Sequence, residues 1–380
     1  MTSLLTTIAV TIFVGTISTY VALQLLNWLA PKLGLIDYPT TRKLHGKPTP
    51  TTGGLAIASG LIATLMVGQI GLNPALNWML CGALLILIVG VFDDRYNLPA
   101  IVRLTAQITI ATLVCVQGDI QIVSLGSVPI LGELVLGPVA PYVTVFAIVT
   151  AVNAMNFIDG IDGLAITLAL TSLAALAVIA FAGQKYEIAL LLTALIVCSS
   201  VFMSKNIQLS KRPRAEAFLG DAGSTTLGFI IACCLVYMSQ GRASTIEPTT
   251  ALWLFTIPLV DIFTVVCKRL ARGQSPFKPS RDHLHHLLLN HFHSTRQVTV
   301  MMTLLAMTGV GIGWIFTLFD SALPSMIAFC LALGTNLAVS AKLSASNGYE
   351  GINPVILTTI ISDNMPDYEV QAKDSARLRV

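Results

Sequence analysis

Acidic residues at the ends of apolar segments are the part of this sequence best suited to chemistry. Five aspartates lie in the blocks VGVFDDRYN, NFIDGIDGLA and FLGDAGST, namely Asp93, Asp94, Asp159, Asp162 and Asp221. An ionised carboxylate held against a membrane is costly unless it binds a cation, a polar substrate or a proton. The three blocks therefore indicate a metal site, a polar-substrate site or a proton path.

The adjacent residues Asp93 and Asp94 leave two interpretations open. On a helix their side chains diverge by about 100°, so one could meet a metal or a proton while the other pairs with Arg95 or Arg103. The alternative is a charged helix end without a chemical role. Asp221, between Gly220 and Gly223, is similarly ambiguous. It either caps the helix that follows or supplies an oxygen ligand to Mg²⁺.

A polar stripe leaves an apolar segment in the block NAMNFIDGIDG. Asn153, Asn156, Asp159 and Asp162 recur at intervals of three, which places them near one face of a helix. The neighbouring glycines allow the backbone to approach a ligand closely. Amide and carboxylate groups in this arrangement suit the hydroxyls and amides of a sugar or a nucleobase, and we favour that role over a plain helix terminus.

A histidine block, RDHLHH, supplies basic groups. His283, His285 and His286 lie beside Arg281 and Asp282. A zinc site lacks further ligands of matching spacing, so a diphosphate facing imidazole and guanidinium groups fits better; solvent-facing histidines are the alternative. Asp261 lies inside an apolar segment, and structural and functional roles are equally open for it. In the first polar loop, Asp37, Arg42 and His45 either contact substrate or simply cap the loop.

The composition defines an all-α, polytopic membrane protein. The 380-residue chain is 54% hydrophobic and only 11% charged, whereas about a quarter of a soluble domain is charged. Apolar stretches predict about eleven transmembrane helices, near 4–30, 52–70, 76–92, 101–117, 138–155, 163–182, 186–203, 219–239, 249–267, 298–317 and 322–341. We expect residues 1–342 to form one membrane domain and residues 343–380 a polar cytoplasmic tail.

Basic residues predict the orientation. With eleven spans, the predicted cytoplasmic segments contain all of the 22 Lys and Arg residues except Lys185 and Arg242, as the positive-inside rule requires. The N-terminus is then outside, the C-terminus and the five aspartates are cytoplasmic, and the outer loop 118–137 is predicted to form a small β-hairpin with a structural role. A secondary transporter is a remote alternative, since it predicts midplane charges and inverted repeats, and no repeat is evident.

Together the blocks resemble the polyprenyl-phosphate N-acetylhexosamine-1-phosphate transferases of glycosyltransferase family 4. The resemblance runs from about Gly34 to about Leu289. It is carried by GLIDYPTTRKLHGKPTPTTGGLA, GVFDDR with VRLTAQ, NAMNFIDGIDGLA, KNIQL, FLGDAGSTTLG and SPFKPSRDHLHHLLL. The chain is most similar to the branch that uses UDP-GlcNAc. In the branch that uses UDP-MurNAc-pentapeptide three histidines are consecutive, whereas Leu284 interrupts them here.

The resemblance implies a reaction in the bacterial inner membrane, with an active site on the cytoplasmic face. UDP-GlcNAc and undecaprenyl phosphate would give GlcNAc-diphosphoundecaprenol and UMP, a first lipid-linked step of a cell-surface polysaccharide such as O-antigen or enterobacterial common antigen. Another UDP-N-acetylhexosamine, or UDP-MurNAc-pentapeptide, is the alternative donor. The partners are these substrates and the lipid bilayer, without nucleic acid, and a homodimer is compatible with them. Direct and covalent aspartyl-phosphate routes both remain open.

The resemblance also implies the site. Asp221 would bind Mg²⁺, or Mn²⁺ in its place, and act with Asp93 and Asp94 in catalysis. Asp93 is the candidate to bind or deprotonate the lipid phosphate, with Asp94 in support. The remaining residues would bind substrate. Those near the nucleotide sugar and the metal are Asn156, Asp159, Asp162 and Asn206, Arg103 would lie near a phosphate, and the basic groups at the diphosphate or the sugar are Arg281, His283, His285 and His286.

Overall fold

The computed structural model describes residues 2–38, 47–129, 131–207, 215–241, 244–275, 282–318 and 322–346. Within them the chain is almost entirely helical. The helices are α1 (Thr2–Leu33), α2 (Gly53–Val67), α3 (Pro74–Tyr96), α4 (Ala100–Gln117), α5 (Ala140–Ile158), α6 (Leu164–Ala182), α7 (Tyr186–Asn206), α8 (Gly220–Ser239), α9 (Pro248–Leu254), α10 (Thr256–Ala271), α11 (Leu284–Phe292), α12 (Thr295–Phe316) and α13 (Ala322–Ser346). Two short antiparallel hairpins complete the described chain, β1 (Ile36–Asp37) with β2 (Thr49–Pro50) and β3 (Ser124–Val128) with β4 (Gly132–Val135).

The prediction of an all-helical multi-pass membrane protein is confirmed in its architecture. All eleven predicted segments are helical, and nine helices among the described residues are long and apolar enough to cross a membrane. A tenth span is counted if α9 and α10 act together. The remaining segment, α2, has 15 residues and so extends only about 22 Å, against an apolar core of about 30 Å. The number eleven and the orientation stay predictions.

The predicted span 249–267 is broken into two helices. α9 and α10 meet at an angle of 87°, and Phe255 between them is not helical. Pro258 explains the break, because it has no N–H to donate to the carbonyl of Leu254, one turn earlier. The hydroxyl of Ser172 on α6 donates to that carbonyl instead, at 2.7 Å.

The hairpin predicted within residues 118–137 forms as β3 and β4. Gln240, which follows α8, ties it to the helical bundle. Its side-chain oxygen accepts from the backbone N–H of Val123 at 3.0 Å, and its side-chain nitrogen donates to the carbonyl of Ser124 at 3.0 Å. These bonds support a structural role for the hairpin, and its position on the outer face remains part of the orientation prediction.

Helix α8 forms the centre of the bundle. Of the residues in its most apolar stretch, 94% are buried, whereas the corresponding fraction is 17% for α1 and for α13 at the periphery of the bundle. α8 packs on α2, α3, α5 and α6. Two glycines make this close approach possible. A Cβ on Gly90 would collide with the backbone of Ala222, and a Cβ on Gly54 would collide with the backbone of Gly223. The first turn of α8 is therefore fixed by packing on both sides.

The segment before α8 is held by the first polar loop. The carbonyls of Phe218 and Leu219 accept from the N–H groups of Gly53 and Gly54, at 3.0 and 3.1 Å, and the N–H of Phe218 donates to the carbonyl of Pro50 at 2.8 Å. Arg42 and His45 of the same loop lie outside the described residues. So do residues 347–380 of the predicted tail, whose first residues, 343–346, still belong to α13.

Gly90→Ala should lower the thermal midpoint of the protein in detergent. The added methyl group must displace the backbone of Ala222, and overpacking of this kind costs about 1–3 kcal/mol. Gly311→Ala on α12 is the matched control, because a Cβ there meets no described atom within 4 Å and alanine is the better helix former. Equal midpoints for the two variants would contradict the tight packing of α3 on α8.

Candidate active site

The candidate site is built where helix ends meet. Asp93 and Asp94 lie in the last turn of α3, Arg103 in the first turn of α4 and Asp221 in the first turn of α8. The ends of α5 and α7 and the start of α11 add Asn156, Asp159, Asn206 and the histidines. The contacts below connect these ends, so the structure brings together nearly every predicted site residue that it describes.

Asp93 is a buried carboxylate with both oxygens engaged. Its Oδ2 accepts from Arg103 Nη1 at 2.6 Å, and its Oδ1 accepts from the backbone N–H of Leu98 at 2.9 Å. Asp93 is only 4% exposed, whereas the Arg103 side chain is 35% exposed, so the carboxylate is shielded from water and the guanidinium is not. Arg103 also reaches toward Asp221, with 3.8 Å between Nη1 and Oδ2. The pairing of Asp93 with Arg103, one of the two partners considered from the sequence, is confirmed.

Asp94 caps helix α8 from the neighbouring helix α3. Its two oxygens accept from the backbone N–H groups of Asp221 at 2.8 Å and Ala222 at 3.1 Å. These N–H groups have no partner inside their own helix. Gly220 makes the contact possible, since it has a φ of +74° and a Cβ there would lie 2.6 Å from Asp94 Oδ2. The interpretation of Asp221 as the cap is wrong: Asp94 supplies the cap.

The carboxylate of Asp221 is left open to a ligand. Its Oδ1 accepts from Asn156 Nδ2 at 2.6 Å, and the same amide nitrogen lies 3.2 Å from the hydroxyl of Ser224. The Asp221 side chain is 37% exposed, and its Oδ2 lies beyond hydrogen-bond distance of Arg103. Asn156 therefore orients one oxygen, and the partly exposed carboxylate also lies beside Arg103 and the carboxylate of Asp93.

Asp159 lies at the end of α5 in a strongly negative environment. It is partly exposed, yet burial raises the pKa of its carboxyl from 3.8 to about 8, with further contributions from the charges of Asp221 and Asp162. The three carboxylates thus influence one another, as expected for residues that share a site. A bound cation would offset this accumulation of negative charge.

Asn206 joins two loops of the site. Its side-chain oxygen accepts from the N–H of Gly163 at 2.9 Å, and its nitrogen donates to the carbonyl of Ala217 at 3.0 Å. Because both ends of the amide bond backbone groups and the residue is 4% exposed, its position suits the support of the Asp159–Asp162 turn. Its predicted contact with substrate stays a prediction.

His283 begins helix α11 and is held by Asp261. The distance from His283 Nδ1 to Asp261 Oδ2 is 2.7 Å, and Asp261 Oδ1 accepts from the N–H of Leu284 at 2.7 Å. The His283 ring lies 5.4 Å from that of Phe157, between centroids. The histidine block therefore packs beside the end of α5, which carries Asn156 and Asp159.

His285 is enclosed rather than exposed to a ligand. It has no accessible surface, and neither ring nitrogen has a hydrogen-bond partner among the described residues. Burial, with the neighbouring His286 and His283, holds the pKa of its imidazole well below 6.5, so the ring is neutral at pH 7. Its Nε2 faces Gly160, where a Cβ would collide with it. His286 is partly exposed, and Arg281 lies outside the described residues.

A buried ionic cluster next to the histidine block was not predicted from the sequence. Asp282 is 1% exposed and pairs with Arg272 at 3.3 Å and with Lys268 at 3.9 Å. Lys268 also donates to the hydroxyl of Ser344 on α13 at 2.9 Å. In the sequence, Lys268 and Arg272 indicated only the membrane orientation, and Asp282 was noted only as a neighbour of the histidines. Ser224 and Gly160 were likewise missed, although both belong to the quoted blocks.

The residues present fit Mg²⁺ better than zinc. Among the described residues no three His, Cys, Asp or Glu side chains are placed to hold a metal by themselves, so the zinc alternative for the histidines gains no support. Mg²⁺ commonly takes one or two carboxylates and completes its shell with water and substrate phosphates. The partly exposed carboxylate of Asp221, with Asp159 nearby, matches that requirement.

The fold and the site define a class, a multi-pass membrane protein with a carboxylate-rich polar site at its helix ends. A family model described as Glycosyl transferase family 4 matches residues 76–239. Undecaprenyl-phosphate alpha-N-acetylglucosaminyl 1-phosphate transferase of Escherichia coli (strain K12) is 33% identical over 305 residues, which cover 80% of this chain and 82% of the relative. Proteins of the same name from Salmonella typhimurium and Haemophilus influenzae are also 33% identical, over 80% of this chain and 83% and 85% of their own lengths. The chain therefore belongs to glycosyl transferase family 4 and is an enzyme that transfers a phospho-sugar.

Stability should fall with rising pH because of Asp159. A carboxyl whose pKa is near 8 when folded and near 4 when unfolded stabilises the protein fully below pH of about 4. The contribution declines as pH rises and is lost above pH of about 8. In metal-free detergent solution, the thermal midpoint of the wild type should therefore fall between pH 5 and pH 8 relative to that of Asp159→Asn. Mg²⁺ should reduce the fall. Parallel pH curves for the two proteins would contradict the assignment.

Gly160→Ala should destabilise the protein through His285. The new methyl group would collide with the enclosed imidazole, at a cost of about 1–3 kcal/mol. His285→Ala removes the ring and should make the same substitution nearly neutral, so the two changes should be strongly non-additive in thermal unfolding. Additive losses would show that the Gly160 backbone does not pack on His285.

Proposed function

We propose that this enzyme transfers GlcNAc-1-phosphate from UDP-GlcNAc to undecaprenyl phosphate, giving GlcNAc-diphosphoundecaprenol and UMP. The names of the relatives, which are 33% identical over 80% of the chain, include this acceptor and this sugar. The observation that carries the proposal is the open carboxylate of Asp221, held by Asn156 and faced by Arg103 at the junction of α3, α4, α5 and α8. Such a junction suits a diphosphate with its cation.

The reaction is a phosphoryl transfer, in which positioning and charge stabilisation matter most. An oxygen of the lipid phosphate attacks the β-phosphorus of the nucleotide sugar, the bond from that phosphorus to the bridging oxygen breaks, and UMP leaves with that oxygen. When bound, Mg²⁺ would neutralise the diphosphate and stabilise the departing UMP. Asp221 would hold the metal, with Asp159 and Asp162 adding negative charge near it.

Arg103 and Asp93 would act together on the acceptor phosphate. Arg103 is anchored by the 2.6 Å bond to Asp93, which fixes the guanidinium in the first turn of α4. A guanidinium is well suited to a phosphate. Phosphate monoesters are already largely ionised near neutral pH, so a positioned cation is needed more than a base. In this proposal Asp93 contacts the lipid phosphate only if its bond to Arg103 is exchanged, and Asp94 serves by placing Asp221.

The apolar spans supply the membrane setting. Undecaprenyl phosphate would approach within the bilayer, and UDP-GlcNAc would approach from the cytoplasm of a bacterial cell, where the basic loops are predicted to lie. The histidine block would then face the sugar diphosphate through His283, His286 and Arg281. His285 would support the block from within, because it is enclosed.

Purified protein should release UMP from UDP-GlcNAc in the presence of Mg²⁺ and undecaprenyl phosphate, with a lipid-linked product of matching mass. Asp221→Asn should lower kcat at least about 100-fold, because metal-borne charge contributes several kcal/mol to such reactions. Asp119→Asn is the matched control, since Asp119 is exposed and follows the opposite end of α4.

The donor panel distinguishes the outcomes. UDP-GalNAc and UDP-MurNAc-pentapeptide should give far less UMP than UDP-GlcNAc. Preference for either of them would overturn the choice of sugar alone, whereas no UMP from any donor would overturn the proposed reaction. Near-normal turnover by Asp221→Asn would overturn the assignment of the metal ligand.

A further inference from the structure

Asp261 is a buried carboxylate inside α10 that the proposed reaction does not use. It is 3% exposed, and its neighbours along the helix are Val260 and Ile262, both of them buried. An ionised group in such a place is costly unless it is fully hydrogen-bonded. Both oxygens of Asp261 bond the start of α11, one the Nδ1 of His283 and the other the N–H of Leu284. The carboxylate is thus committed to the histidine block.

Asp261 acts on the block in two ways. Oδ1 caps the nine-residue helix α11 from a different helix, as Asp94 caps α8. Oδ2 fixes the proton of His283, because an ionised carboxylate only accepts hydrogen bonds and Nδ1 must therefore carry hydrogen. The Nε2 atom of His283 has no hydrogen-bond partner among the described residues. The side chain is only 6% exposed, so Nε2 is the one ring nitrogen left for a ligand that enters beside it.

The same contacts place His283 against the site. Its ring packs on Phe157, between Asn156 and Asp159 in sequence, and lies 5.9 Å from the ring of His285, which is seated on Gly160. Lys268 lies two turns further along the same face of α10, where the charge of Asp261 acts on it, and it pairs with Asp282 at 3.9 Å. They hold the loop but make no hydrogen bond to His283 among the described residues.

We propose that Asp261 is a positioning residue for the transfer reaction: it sets the tautomer and orientation of His283, so that Nε2 faces the nucleotide-sugar side of the site. The inference rests on the proposed function for its kinetic test, but its structural test is independent of that function. Partners that orient metal-bound histidines in this way typically contribute about 10–100-fold in metal affinity or activity, and we expect a similar range here.

The kinetic test uses Asp261→Asn, His283→Ala and the double variant. The Asn side chain has the shape of Asp, and its oxygen can still accept a hydrogen bond from the N–H of Leu284. Its amide nitrogen then faces the His283 ring and cannot accept a hydrogen bond from Nδ1–H. We expect Asp261→Asn to lower kcat/KM for UDP-GlcNAc about 10–100-fold. In the His283→Ala background it should lower kcat/KM less than about 2-fold further, since Asp261 would act through His283. Additive losses, or near-normal kcat/KM for Asp261→Asn alone, would overturn the proposal.

The structural test needs no substrate and does not depend on Asp261→Asn. Nitrogen-15 NMR of the wild-type protein at pH 8, with the His283 signals assigned by their loss in His283→Gln, should show hydrogen on Nδ1. A neutral ring with hydrogen only on Nε2 would overturn the proposal, even if Asp261→Asn failed to fold. Absence of UMP from every donor would instead overturn the proposed function and leave this NMR result to decide the role of Asp261.

Discussion

The first turn of α8 is the constraint on which the rest of the site depends. This helix runs through the centre of the bundle, so the free N–H groups at its start cannot rely on bulk water. The carboxylate of Asp94 satisfies two of them from α3, which locks the end of one helix to the start of the other. Gly220 is needed at that point for its positive φ and its missing side chain. Asp221 then has a fixed position, because its own backbone N–H is one of the two capped groups.

Fixing so many carboxylates together creates an electrostatic cost that the protein alone does not remove. Arg103 offsets part of it through Asp93, and the positive end of the α8 dipole favours Asp221. Burial raises the pKa of Asp159 to about 8, and the charges of Asp221 and Asp162 add to the rise, so the described groups do not fully neutralise these carboxylates. A site with this imbalance favours the binding of a cation. This unfavourable charge lowers the stability of the metal-free protein. We regard that loss as a requirement of function, because a protein that fully neutralised its own carboxylates would no longer attract the cation.

Local sequence patterns predicted the helices, the hairpin and the polar blocks, because apolar runs, turn residues and clustered polar groups are each visible within a short stretch of chain. They could not predict pairings set by packing. Asp94 meets the start of α8 across 127 positions of sequence, and nothing near Asp94 distinguishes a cap from a catalytic acid. Asp261 was recognised as a carboxylate inside an apolar segment, but its partner was visible only once α10 and α11 were adjacent. The 87° break at Phe255 had a local signal in Pro258, although the segment is apolar enough to suggest one continuous span.

Helix ends are a natural place for a reaction that joins a lipid to a water-soluble nucleotide sugar. Three helices, α4, α8 and α11, begin at the site, and helix starts favour anions such as phosphate. The carboxylates favour a cation at the same place. The electrostatic field of the site therefore suits a diphosphate and a metal ion together better than either of them alone. Two of these helix starts are capped by carboxylates from neighbouring helices, Asp94 and Asp261. Capping from outside lets the same bonds that stabilise each helix also set the position of Asp221 and His283, so that folding and the assembly of the site are coupled.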